Sequence, residues 1–535
     1  MGLSCPTRLA VAAWLGCAIV GCPTEDPVTD RTPTTFPGGT LLPFEDVTVS
    51  MRVDFEAPPP GEDHGLTHTE DLTNGGGAGL IDLTGDGVLD LVLTAPYGDN
   101  ALYLGDGDGF TRVDDPAFED LPLTTCVSAA DLDADGLRDL FVCSDSRVLM
   151  YRNLGGGRFE DAGALLIEPD DRRPEGVAIA DYDGDGFVDL YVSIQGRHVV
   201  GTLPNDGADR VFVGRGGFAF DEATDRFGEP GDRAGLSFAA SWMDVDRDGA
   251  LDLVSIKDRG AELVPGRVYL QPADPKTPWA EASQAWNLDV PVDGMGIGVG
   301  DVQGDGRVEV AVSDNFGRLH VRSIGDETAD DVGPSWGVVN QDVALHETSW
   351  GLELADLDND ADLELIAAFG RREYGVHVAE MQNNLWEWHR PAERYRTRTD
   401  LLDFEPTDGF DAWRGVLPGD LDGDGTLELV FTSHVGPVSI QRTEPTFHRW
   451  IAIAVRGPAT NPDALGAEVL LRVGELEFVQ WIGAGTTGVH SVREPRAHFG
   501  LGPGDPDVEV VVRWPDGEER TFTDLALDRA HRLER

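Results

Sequence analysis

Apolar residues in this chain come in short runs, not at helical spacing. Runs such as AGLI before Asp82 and GVAIA before Asp181 lead into polar stretches of nine residues, and new apolar runs follow at once: LVL, LFV, LYV, LVS, VAV, LIA and LVF. Short runs of this kind, bounded by Asp and Gly, read as strands. Each polar stretch therefore closes a hairpin between two antiparallel strands. The spacing from one polar stretch to the next runs from 49 to 64 residues, which leaves room for four strands per period. In the second period these are TCVSAA, DLFVCS, VLMYRN and RFEDAG, with GGGR as the last turn. Seven such periods predict an all-β fold, a seven-bladed β-propeller over residues 44–446 followed by a small C-terminal β domain over residues 447–535.

The ends of the array support closure. FEDAG from Phe159 and FDEAT from Phe220 end their periods, and the same kind of segment, FEDVT, stands at Phe44 before the first loop. After the last loop only FTS and VSIQR precede a different region starting near Phe447. Residues 44–51 are therefore expected to supply the outer strand of the last blade. An open solenoid would leave sheet edges exposed. Beyond the array, IAIAV, AEVLLRV, LEFVQWI and VEVVVRW have strand composition, with a turn at residues 515–517. His490 and His498 read as structural side chains of this region.

The polar stretches are copies of one another: DLTGDGVLDL, DLDADGLRDL, DYDGDGFVDL, DVDRDGALDL, DVQGDGRVEV, DLDNDADLEL and DLDGDGTLEL. Positions 1, 3, 5 and 9 carry oxygen side chains, nearly always acidic, and position 6 is Gly in all but one. Calcium takes six to eight oxygens, so these side chains, the carbonyl of position 7 and water can surround it. Two bare carboxylates ~4 Å apart repel by roughly 4 kcal/mol at an effective dielectric of 20. The candidate ligands are Asp82, Thr84, Asp86, Val88 and Asp90; Asp131, Asp133, Asp135, Leu137 and Asp139; Asp181, Asp183, Asp185, Phe187 and Asp189; Asp244, Asp246, Asp248, Ala250 and Asp252; Asp301, Gln303, Asp305, Arg307 and Glu309; Asp356, Asp358, Asp360, Asp362 and Glu364; and Asp420, Asp422, Asp424, Thr426 and Glu428. They provide for up to seven structural Ca2+. An EF-hand would need a bidentate Glu at position 12, where this chain has Leu93, Val142, Val192 and Val312. Thr84 and Gln303 each replace a carboxylate. Ala361 replaces the turn Gly, and Ala at a positive φ costs on the order of 1 kcal/mol, so the Asp356 loop is expected to bind more weakly.

Net charge is -56 over 535 residues, and positions 1, 3, 5 and 9 of the loops account for 26 of the 97 acids. Such acidity argues against nucleic acid and anionic lipid as partners. At the start, LAVAAWLGCAIV after Arg8 is too short to span a bilayer and reads as a targeting signal over residues 1–21. The IVGC ending at Cys22 resembles a bacterial lipobox, which implies lipidation of Cys22 and export to a bacterial outer membrane or cell surface. A plain cleaved secretory signal is the alternative. Residues 22–43, rich in Pro and Thr, read as a tether. Cys126 and Cys143 lie in the strands flanking the Asp131 loop, nearly opposite one another; a cross-strand disulfide and two separately buried thiols are both open. Arg394, Arg396 and Arg398, with Trp386 and Trp388, belong to a basic and aromatic island that is the candidate partner surface, the alternative being that its aromatics fill the space between blades.

The repeats resemble the FG-GAP or VCBS family, whose propellers carry calcium, over roughly residues 44–446. HRWIAIAVRG from His448, LGAEVLLRVG, PRAHFGLG and VEVVVRWPDGEERTF resemble the ASPIC/UnbV domain. Together the two parts look like the bacterial cartilage acidic protein 1-like family in lipoprotein form. The resemblance implies calcium binding and adhesive interaction at a surface. There is no HExxH or GxxxxGK pattern. The expected function is therefore a non-enzymatic, calcium-binding, membrane-anchored module for a protein or glycan near the cell surface. The alternatives are a carbohydrate-active lyase or hydrolase with its site on a propeller face, and a chain that helps assemble a partner complex.

Overall fold

The computed structural model describes residues 41–535 except 58–74, 120, 122, 168–171, 197–207, 229–235, 316, 339–346, 372–382, 405–411 and 484–489. Cys22, the signal segment and nearly all of the tether lie outside the described residues. Residues 36–535 form one compact unit.

Strands dominate this unit. Among the described residues seven sheets with a shared plan follow one another, each opening with an inner hairpin whose turn is one of the polar stretches. In the second, Thr124–Ala130, Asp139–Ser144, Arg147–Asn153 and Phe159–Leu166 pair antiparallel in chain order. First strands of successive sheets are neighbours, from Ala78–Ile81 through Thr124–Ala130, Arg172–Ala180, Leu236–Met243, Ile297–Gly300 and Glu347–Ala355 to Trp413–Gly419, and the last of these returns to Ala78–Ile81. The result is propeller-like. The apolar runs on either side of each loop fill the clefts between sheets; Leu91, Leu140, Leu190, Leu253, Leu365 and Leu429, each just after a position-9 acid, are all fully buried.

Phe44–Asp46 pairs antiparallel with Ser439–Thr443 and completes the last sheet from the other end of the array. Closure by pairing leaves that outer strand without a free inner edge. Cys126 and Cys143 form a disulfide with a Cα–Cα distance of 4.9 Å. Val127 faces Val142 and Thr124 faces Ser144, so Cys126 lies in a bulge of one strand, beside Cys143 of the other.

The C-terminal region forms a three-stranded sheet, Ala497–Gly502, Arg449–Val455 and Arg529–Leu533, and a four-stranded sheet, Leu476–Trp481, Glu468–Val473, Val508–Arg513 and Glu519–Phe522. It shares a core with the Asp131 and Asp181 sheets: Phe141, Ile179 and Leu190 belong to the same apolar cluster as Ile451, Val510 and Trp514. One short strand leaves it altogether. Val492–Arg493 pairs parallel with Ala78–Ile81 in the first sheet. Just before it, the His490 carbonyl accepts the Val127 N–H at 3.2 Å and His490 Nδ1 lies 2.7 Å from the Glu175 carbonyl. His490 is fully buried against Phe238, so this segment reaches the inner strands of four successive sheets.

Candidate metal centres

The repeated stretches fold as one kind of loop. In all seven, the position-1 carboxylate accepts the N–H of position 6 at 2.8–3.1 Å, and the position-5 carboxylate accepts the N–H of position 7 at 2.7–3.1 Å. Short acidic side chains thus replace water as acceptors for a tight backbone turn. Position 6 has positive φ throughout, from 71° at Ala361 to 92° at Gly249, which is why Gly prevails there. Position 4 is left-handed as well. Ala134 at 62°, Arg247 at 60° and Asn359 at 62° take a conformation for which Gly stands in the other four loops.

Position 9 has a second task that the sequence reading did not assign. One oxygen of Asp90, Asp139, Asp189, Asp252, Glu309, Glu364 and Glu428 accepts the N–H of position 2 at 2.8–3.2 Å. In four loops the other oxygen accepts an N–H at the third strand or just past it: Gly105, Asn153, Gly214 and Gln271, each at 2.8–2.9 Å. The residue staples hairpin to third strand whether or not it also faces a cation. Spacing alone could not separate the two roles.

Three or more carboxylates converge within 4.8 Å in five loops: Asp131, Asp133 and Asp139; Asp181, Asp183 and Asp189; Asp244, Asp246 and Asp248; Asp356, Asp358 and Asp360; and Asp420, Asp422 and Glu428. Among the described residues the Asp82 and Asp301 loops do not reach that density. These are the loops in which Thr84 and Gln303 stand for an acid. Gln303 Nε2 instead lies 3.3 Å from Glu309 Oε1, a donor turned toward the site.

Burial makes these clusters costly. Desolvation, with neighbouring carboxylates next, pushes Asp181 up to about 7, while desolvation raises Asp244 to about 7, Asp252 to about 8 and Glu428 to about 8 despite backbone hydrogen bonds that lower them. Asp356 and Glu364 are raised well above the usual carboxylate range for the same first reason. Several oxygens are also left without any hydrogen-bond partner: Asp131 Oδ1, Asp181 Oδ1, both oxygens of Asp183 and Asp358 Oδ1. Buried acceptors that no donor satisfies, gathered within one small radius, fit a hard divalent cation.

The C-terminal region contacts all seven loops. Glu494 accepts the Asp82 N–H at 3.0 Å, and Arg138 of the Asp131 loop pairs with Asp463 and Glu494, each at 3.0 Å. The Asp181 N–H donates to the Leu465 carbonyl, and Thr460 donates to the Gly186 carbonyl. Arg513 lies over Gly249, and Trp450 packs so closely on Gly425 that a Cβ there would fall 2.0 Å from the indole. Glu477 exchanges backbone hydrogen bonds of 2.9 Å with Gly304 and Gly306. The Asp356 loop is engaged most heavily: Gly502 N–H donates to the Asn359 carbonyl at 2.8 Å and His498 Nε2 meets Asn359 Oδ1 at 2.8 Å.

The basic and aromatic island divides. Trp386 and Trp388 are buried between sheets, where Trp388 packs on Trp336 and Tyr395, so their indoles fill the blade and present nothing to a partner. Arg394 and Arg396 are exposed, and Arg398 is partly buried and paired with Glu387 at 2.9 Å. Arg390 turns inward, with Nε 2.6 Å from Asp362 and its guanidinium on the Gln303 and Ala361 carbonyls. Residues 372–382 and 405–411 of the island lie outside the described residues. A second buried polar group, Lys257 with Asp209, Ser237 and Tyr191, joins the Asp181 and Asp244 sheets and is closed to solvent.

Residues 457–535 match the family described as ASPIC and UnbV, and residues 82–142 and 131–192 match the FG-GAP-like repeat. Cartilage acidic protein 1 of Homo sapiens is 25% identical over 45% of this chain and 36% of its own length. The Mus musculus protein of that name is 29% identical over 31% of this chain and 25% of its own. The chain thus spans about a third or less of these relatives. Among solved structures, an Agrocybe aegerita lectin that recognises non-reducing terminal N-acetylglucosamine aligns at 16% identity over 60% of this chain and 79% of its own, with a TM-score of 0.37. BBS1N in complex with ARL6DN aligns at 12% identity over 76% of this chain and 98% of its own, with a TM-score of 0.41.

Proposed function

We propose that this chain, which carries FG-GAP-like repeats and an ASPIC and UnbV domain and is homologous to cartilage acidic protein 1, is a calcium-stabilised binding module built on a seven-bladed propeller. It works outside the cytoplasm, held to a membrane by a lipid on Cys22, and takes a protein or glycan ligand. Its metals are structural. The observation that carries this reading is the set of buried carboxylate oxygens without partners in loops that the C-terminal region also covers. Bound there, Ca2+ would neutralise the clustered charge. Asp131, Asp181, Asp244, Asp356 and Asp420 would hold it from position 1, with the acids at positions 3, 5 and 9 around them. The chain's own part is done by the turn hydrogen bonds, which preset those oxygens before any ion arrives. A buried disulfide between Cys126 and Cys143 supports an oxidising compartment.

Binding to the folded state alone raises stability by RT ln(1 + [L]/Kd) per site, about 4 kcal/mol at a thousand times Kd. The purified mature chain, equilibrated with Ca2+ and desalted, should carry about five ions by elemental analysis. None retained would end the calcium reading. Screening the same protein on a glycan panel and on surface extracts, with and without Ca2+, tests the binding function; turnover of a glycan would favour a carbohydrate-active enzyme instead.

A further inference from the structure

The Asp356 loop differs from the other six in what lies over it. Position 5 is exposed in every other loop, as Asp86, Asp135, Asp185, Asp248, Asp305 and Asp424. Here Asp360 is 4% exposed and Asp358 2%, and Asp356, Asp362 and Glu364 are buried with them. The cover comes from the C-terminal region. Besides the two bonds to Asn359, His448 Nδ1 lies 2.8 Å from the Asp358 carbonyl, and the hydroxyl of Thr446, the residue just before that region, donates to the same oxygen at 2.6 Å. Gly500 sits so close that a Cβ there would fall 2.0 Å from Asp356 Oδ2. Asn359 Nδ2 meanwhile donates to the Gly425 carbonyl at 2.9 Å, tying the cover to the next loop, and Arg390 closes the Asp362 side. Inside, Asp358 Oδ1 is buried without a partner, and oxygens of Asp356, Asp358 and Asp360 lie within 4.8 Å of one another.

We propose that the C-terminal region is the gate of this one site: a Ca2+ held by Asp356, Asp358 and Asp360 enters and leaves only when that region lifts from the loop. The other loops exchange their ions through an exposed fifth position; this loop has no such opening. An ion must regain water as it departs, and water reaches Asp360 only after the bonds to Asn359 and Asp358 open. The gate rests on the reading that the loops hold calcium. The weaker binding expected of this loop is a separate matter, because Ala361 bears on affinity while the cover governs exchange.

The test uses the full mature chain loaded with Ca2+, its ions counted, then mixed with excess chelator while release is followed optically. All but one equivalent should leave in a fast phase, and the last should leave at least 100-fold more slowly. Asn359→Gly suits the positive φ of 62° and removes the side chain bonded to His498 and Gly425; it should speed the slow phase tenfold or more and leave the fast phase unchanged. In the unmutated chain, hydrogen exchange at the Gly502 amide should rise with the slow phase. Release of all ions in one phase would overturn the gate, as would a slow phase unchanged in Asn359→Gly or Gly502 exchange that rises with the fast phase. A preparation that binds no Ca2+ at the outset would instead overturn the calcium reading, so the two failures are distinguishable.

Discussion

Asp135 and Asp360 hold the same fifth position in their loops and meet different surroundings. Asp135 faces solvent, whereas Asp360 is sealed under the C-terminal region and pushed up to about 10, first by burial and then by Asp358, Asp356 and Asp362. Water and salt can screen an open cluster of acids. A sealed one can be relieved only by a proton or a cation. Identical ligand chemistry therefore gives two regimes, and what separates them is not in the loop.

Removing the metal should have the largest effect and should expose that difference. A chelator is expected to lower the melting temperature by on the order of 10 °C or more, since several sites each contribute a few kcal/mol. The chelated protein should then show the carboxylates directly. Asp181, Asp244, Asp252 and Glu428 are raised to about 7–8 in the fold, so between about pH 4 and 8 the folded state binds more protons than the unfolded one. Stability without metal should fall across that window, with a higher melt at pH 5 than at pH 8, and saturating Ca2+ should remove the trend. An identical melt with and without chelator, measured by circular dichroism at both pH values, would break the comparison at its root.

Single carboxylates sharpen it further. In Ca2+, Asp358→Asn should cost about 4 kcal/mol, as expected for losing one saturated site, and Asp135→Asn less than half of that. In chelator the sign should invert for Asp358→Asn alone, because it removes a charge that burial leaves unscreened. Denaturant melts of the two variants in both conditions decide this; parallel behaviour would mean that enclosure does not matter. The smallest effect concerns the two alanines at positive φ within the acidic loops, Ala134 and Ala361. Ala134→Gly, in an exposed turn, should stabilise by about 0.5–1 kcal/mol. Ala361→Gly relieves the same strain but gives up a buried methyl worth about 0.8 kcal/mol, so its melt should hardly move.

Much of this is legible in the sequence. Loop, hairpin and period could be read because the ligands of each site lie within nine residues and the strands on either side are local apolar runs. The cross-strand disulfide was accessible for the same reason, since a hairpin's turn sets the register of both strands. Trp386 and Trp388 show where local reading stops. A Trp in a strand looks alike whether its face meets a partner or the adjacent sheet, and here it meets the sheet. Arg390, close in sequence to Arg394, Arg396 and Arg398, points inward and reaches two of the acidic loops, at Asp362 and at the Gln303 carbonyl.

By itself the sequence determined the all-β repeat, its sevenfold count of loops, the outer strand lent by Phe44–Asp46 and the acids that gather at each turn. Only the tertiary structure decided that the C-terminal region covers those loops, that Val492–Arg493 joins the first sheet and that Asp360 is sealed while Asp135 is open. The reason is separation along the chain. A turn is dictated by neighbours a few residues away, but the cover over Asp356 comes from residues such as Gly500, whose approach depends on how whole sheets pack.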